Sequence, residues 1–134
     1  MHAVRLNFSK TGRAIYISHL DINRMMTRAV RRAKLPMWYT EGFNPHPYLT
    51  FALPLSLGQS SDCEYMDIRI EGDITDEEIM NRLNAVLPEG VKILSVSAPV
   101  YDAKEIEKAL YFVKLVFKDA ETSKGFAERA QALA

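Results

Sequence analysis

The chain has 134 residues, 48% of them hydrophobic and 25% charged, which suffices for one buried core, falls short of two, and excludes a disordered or fibrous protein. Its formal net charge is zero, yet residues 1–50 carry eight basic against two acidic side chains, a net of +6, and residues 51–109 carry five against twelve, a net of −7. A basic half on a neutral molecule attracts an anionic partner.

No window of eighteen consecutive apolar residues offers a membrane span, and the N-terminus passes directly into an alternating pattern rather than the core of a signal peptide. Cys63 is the single cysteine, so neither an internal disulfide nor a CxxC metal nest is available. The expected location is the cytoplasm.

Val4, Leu6 and Phe8 alternate with Ala3, Arg5 and Asn7, the period of a half-buried strand. Lys10-Thr11-Gly12 is a turn signal, and Ile15-Tyr16-Ile17 is expected to run extended into Ser18, a helix N-cap with Asp21 three residues on. Ile22, Met25, Met26, Ala29, Val30 and Ala33 then form one apolar stripe at helical spacing, with Arg24, Arg28, Arg31 and Arg32 on the opposite side. Leu35-Pro36 is expected to end this helix, because the residue before proline avoids the α region.

Met37 to Thr40 reads as a short strand, residues 42–47 as a proline-rich loop, and Leu49 to Leu55 as another extended stretch. Residues 63–71 alternate again, placing Met66, Ile68 and Ile70 on the core side. Thr75-Asp76-Glu77-Glu78 is a capping box that opens a second helix through Ile79, Met80, Leu83, Val86 and Leu87, and Val91 to Ala98 returns as a strand. The predicted class is α+β. Residues 1–100 should form a ferredoxin-like βαββαβ domain, an antiparallel sheet with both helices on one face. Residues 101–134 add an apolar strand, Leu110 to Phe117, and a capped helix from Thr122 through Phe126, Ala127, Ala130 and Leu133. This addition is expected to begin a second half, its apolar strand and helix being covered by a part that continues past the present chain or by a second copy.

Two segments stand out for chemistry. In Gly42-Phe43-Asn44-Pro45-His46-Pro47-Tyr48 the prolines stiffen the loop and hold the His46 imidazole ready to act. His19 follows the Ser18 cap at the positive end of a helix dipole, where an anion is favoured. If the two segments form one site, they should share a sheet edge with Lys10 or Glu64 nearby. Glu64 has the strand phase of Met66 and Ile68, so it points to the core side and needs a partner or the sheet rim. Beside the arginine stripe, Trp38, Tyr39, Phe43 and Tyr48 supply the aromatic groups that a nucleic-acid surface requires. Three histidines and one cysteine, widely spaced, give a structural metal site little support.

Phe8-Ser9-Lys10-Thr11-Gly12, Ser18-His19-Leu20-Asp21 with Arg24, Gly42 to Pro47, Pro54-Leu55 with Gly58, and Glu64-Tyr65 occur in that order. Together they resemble the radical-SAM-linked protein family, a domain fused to, or encoded beside, radical-SAM enzymes with a cobalamin-binding-type domain. The resemblance implies a radical-SAM protein as partner and supplies a context rather than a reaction. The cysteine triad for the cluster is not in this sequence, so no cofactor is expected in this chain and that chemistry belongs to the partner. The leading functional expectation is an accessory RNA-binding module, with Lys10, Arg13, His19, Arg24, Asn44, His46 and Tyr48 as its contacts. A rival is a metal-independent ribonuclease with His19 or His46 as acid and base and Lys10 steadying the phosphate. A third is a protein-docking domain that binds no nucleic acid.

Overall fold

The computed structural model describes residues 1–132. Strand β1 (His2–Lys10) lies inside the sheet, antiparallel to β3 (Ser61–Ile70) on one side and to β4 (Val91–Ser97) on the other. A short β2 (Leu49–Phe51) completes the far edge beside β3, so the order is β2-β3-β1-β4. With helix α1 (His19–Arg32) between β1 and β2 and helix α2 (Asp76–Val86) between β3 and β4, this is the expected split βαβ topology.

Alternation along the strands produces the two layers. Val4, Leu6 and Phe8 of β1, Met66, Ile68 and Ile70 of β3, and Ile93 of β4 are buried together with Ile22, Met26, Ala29 and Val30 of α1 and Ile79 and Leu83 of α2. Out-of-phase residues, among them Arg5, Asn7, Tyr65, Asp67 and Arg69, turn to the face that the two helices leave open. Asn84 of α2 clips the edge: its side chain donates to Ile93 O at 3.0 Å and accepts from Ile93 N at 2.8 Å. Those backbone groups of an edge strand would otherwise be left unpaired.

Both helix starts are capped as the sequence indicates, with Ser18 Oγ accepting from Asp21 N and Thr75 Oγ1 accepting from Glu78 N, each at 3.2 Å. The end of α1 differs in mechanism. Lys34 takes φ +54, Lys34 N donates to Arg31 O, and Leu35 N donates to Val30 O, which is a Schellman turn sealed by buried Leu35 and Val30. Pro36 follows a helix that has already closed.

Four predicted elements need correction. Ile15 and Tyr16 belong to a 3-10 turn over Gly12–Tyr16, and of the expected extended run only Ile17 is extended, because Gly12 at φ +59 redirects the chain and Ala14 tucks into the core. Met37 to Thr40 is no strand, only single bridges from Met37 to Ile70 and from Tyr39 to Pro47; proline at the partnering position withholds a ladder donor. The stretch from Leu49 pairs only to Phe51, and Pro54 lies in the loop beyond. Leu110 to Phe117 forms no strand: it pairs with neither edge of the sheet, and Phe112 and Val116 are 93% and 85% exposed. Apolar residues alone do not make a strand without an edge to bond.

After a 3-10 turn at Ala103–Glu105, helix α3 (Ala120–Ala132) begins earlier than expected, since the cap is Asp119, whose Oδ1 accepts from Thr122 N at 2.7 Å. Phe126 packs on Phe117 with ring centroids 5.5 Å apart. Leu133, the last residue of the expected stripe, lies outside the described residues. No helix of the described residues is long and apolar enough to cross a membrane.

Gly90 fixes the turn between α2 and β4 against the 3-10 turn. Its carbonyl accepts from Thr11 N at 2.8 Å, its φ is +91, and a Cβ there would overlap Thr11 O and come within 2.8 Å of the Ala14 Cβ. Gly90→Ala should therefore cost about 3 kcal/mol, strain and overlap together. Gly72→Ala, at φ +101 with open space around the Cβ, should cost clearly less. Denaturant midpoints of the two variants check this, and equal losses would refute the close approach.

Candidate functional site

Lys10 ends β1 at a place where the register slips. The pairing with β3 shifts between Phe8 and Lys10, and the pairing with β4 shifts between Asn7 and Phe8. Bulges of this kind re-aim side chains, and here Lys10 is only 1% exposed. Its Nζ donates to Ile17 O at 2.6 Å, the carbonyl just before the α1 cap. Burial pushes the ammonium below its ordinary value, and the nearby Glu64 carboxylate opposes that shift.

Lys10, His19 and Glu64 line one narrow recess of about 10 Å³, room for about one water. Phe8, Ile22, Phe51, Leu53 and Leu55 form its apolar walls. The His19 and Phe51 rings meet edge to face at 5.1 Å between centroids, and Phe51 and Phe8 meet in the same manner at 6.1 Å, the arrangement that aromatic quadrupoles favour. Glu64 therefore stands at the rim of the core side, half-buried, facing the one lysine that the same core encloses.

His46 does not line that recess. Its Nδ1 lies 3.0 Å from Asn44 O and 3.1 Å from Thr40 Oγ1, while its backbone N–H donates to Thr40 Oγ1 at 3.2 Å. Nδ1 either donates to Asn44 O or accepts from the Thr40 hydroxyl, according to the tautomer. Residues 38–48 form an arm folded on itself, with Thr40 N donating to His46 O and Tyr48 N to Trp38 O. Asn44, His46 and Phe43 are exposed at its tip. His46 therefore belongs to the arm, whereas His19 belongs to the recess.

At the base of the arm Tyr48 joins a cluster that alternation alone did not identify. The Arg69 guanidinium lies 4.1 Å from the centroid of Tyr48 and 5.4 Å from that of Trp38, whose rings meet at 6.1 Å. The signal available in the sequence was the outward phase of Arg69 opposite an aromatic-rich segment. Arg13 is exposed on the 3-10 turn, and Arg24 is exposed on α1 with a 3.5 Å contact to Asp21. Arg28, Arg31 and Arg32 are exposed and have no acidic partner within ion-pair distance among the described residues.

A family model described as "Uncharacterized protein conserved in bacteria (DUF2344)" matches residues 3–133. No curated protein matches the chain.

The buried lysine has a consequence in pH. Folded Lys10 loses its proton below 10.5, the value for a free side chain. Between the folded value and 10.5 the unfolded chain binds the extra proton, so stability rises with pH across that interval. Relative to Lys10→Met, the natural chain should gain stability as pH climbs through that interval, and the difference should stay flat below it. Urea midpoints of both proteins at a series of alkaline pH values check this; parallel curves throughout would refute the burial of a charged ammonium.

Proposed function

We propose that this chain, which belongs to the DUF2344 family of proteins conserved in bacteria, is an accessory RNA-binding module that works with a radical-SAM partner. One observation carries the nucleic-acid part: the outer face of α1 presents Arg24, Arg28 and Arg31 at helical spacing, two of the three with no acidic partner among the described residues. Guanidiniums in a row along a helix suit successive phosphates. The Arg69, Trp38 and Tyr48 cluster adds aromatic and guanidinium surface on another side of the fold, the second ingredient of single-strand binding. The partner is supported by the ordered motifs from Phe8 to Tyr65, and a cytoplasmic setting by the lone Cys63.

A second reading draws on the Lys10, His19 and Glu64 recess. Three groups able to move or stabilise protons at one opening fit metal-independent ribonuclease chemistry, with His19 as the acid or base. An RNA-cleavage assay separates the two readings. The accessory module shows no turnover, whereas the enzyme loses turnover in His19→Ala while keeping its affinity.

Affinity for single-stranded RNA should fall with salt at a log–log slope of about −0.7 per phosphate neutralised. Arg24→Glu with Arg28→Glu should weaken binding to all sequences alike, by roughly tenfold or more, and make the salt slope shallower. Titrations by fluorescence anisotropy at several salt concentrations check this. Affinity indifferent to the reversals would leave the protein-docking reading in their place, and co-purification of the co-expressed radical-SAM protein tests the partner separately.

A further inference from the structure

On the open face of the sheet a pocket of about 360 Å³ lies under the segment that follows β4, a size within the range of small-molecule clefts. Tyr65 of β3 forms one wall, and Tyr101 and Ile106 of the following segment form another. Neither tyrosine has an aromatic partner among the described residues.

The polar groups of the pocket narrow the ligand. Arg5 is clamped by Asp67, Nε donating to Oδ1 at 2.8 Å and Nη2 to Oδ2 at 2.9 Å. Two of its five N–H groups are thereby used, and three keep a fixed direction. The Asp67 charge cancels that of Arg5, so the acidic lining residues Asp102 and Glu105 leave the site negative. Asp102 accepts from Lys104 N at 3.0 Å, whereas Glu105 has no side-chain partner among the described residues. A phosphate is repelled by this lining. A simple alkylammonium ion offers no acceptor to the remaining Arg5 donors. A nucleobase meets every requirement: it is flat, neutral, stackable on tyrosine, and carries donors and acceptors on one edge.

We propose that this pocket takes one unpaired RNA base bearing an exocyclic amine, which donates to Glu105 while a ring nitrogen or carbonyl accepts from Arg5. The inference rests on the RNA-binding reading and assigns base selection to a face that the α1 arginines do not occupy. Phosphates would run outside the pocket, so selection and salt dependence belong to different residues.

The test uses the whole chain with octamers of adenosine, cytidine and uridine, and with the free nucleosides. Adenosine and cytidine octamers should bind several-fold tighter than uridine. Tyr101→Ala, at a residue 71% exposed, should weaken the preferred octamers by roughly 5- to 100-fold, the loss of one base stack. Glu105→Gln should flatten the preference, and both variants should leave the salt slope unchanged. Free adenosine or cytidine should shift the Tyr101 resonances, uridine less. RNA binding that is indifferent to both variants overturns the pocket and spares the module. Nucleoside binding without RNA binding does the reverse, and binding of neither overturns both.

Discussion

The fold depends on β1 having to pair on both sides while serving two faces. Its backbone donors and acceptors are shared between β3 and β4, so sliding β1 along its axis would break both ladders together. Every second side chain enters the core, and the rest form the floor of the open face. Two offsets relieve this double constraint, one toward each neighbour, and both fall between Asn7 and Lys10. Bulges concentrate near functional positions because they turn a side chain out of the pleat. At this end of β1 the result is a buried ammonium whose bonded acceptor is Ile17 O, in the residue just before the Ser18 cap. The end of the central strand and the start of α1 are therefore one unit.

That unit separates the chemistry of the molecule into distinct districts. The recess with Lys10, His19 and Glu64 opens on the helix side, at the end of the sheet where Phe51 terminates β2. The Arg5 and Asp67 pair lies on the opposite face, anchored near the middle of the same central strand. A bidentate guanidinium with both side chains about one-fifth exposed is a stiff element, and its partner raises the Arg5 affinity for its proton further. The 38–48 arm forms a third district, tied to β3 through Trp38 N and Arg69 O at 2.9 Å.

Periodicity made much of this legible. The stripes of α1 and α2, the alternation of β1 and β3, and both N-caps follow from spacing alone, because burial on one face dictates it. The contacts that define the districts were harder to foresee. The burial of Lys10 arises from irregular pairing, and a bulge leaves no mark in the hydrophobic pattern. Lys34 closes α1 with a positive φ that sequence rules assign to glycine or asparagine. His19 and His46 are alike as residues on short polar segments, yet one meets Phe51 edge to face and the other bonds within its own loop. Which contact each makes depends on residues far away in the chain. Leu110 to Phe117 shows the opposite failure: strand-like composition was present, but a strand is a property of two segments and among the described residues no second one pairs with it.

The position of the one tryptophan has a spectroscopic meaning. Trp38 sits at the root of the arm, against Tyr48 and under the Arg69 guanidinium, and it is not one of the residues of the central core. Its emission is thus a local gauge, set by how closely the arm folds against β3 rather than by whether the core is intact. A red shift of that emission at unchanged far-ultraviolet dichroism would register the arm lifting away from an otherwise native sheet. This chain carries its own optical probe beside the loop that bears His46.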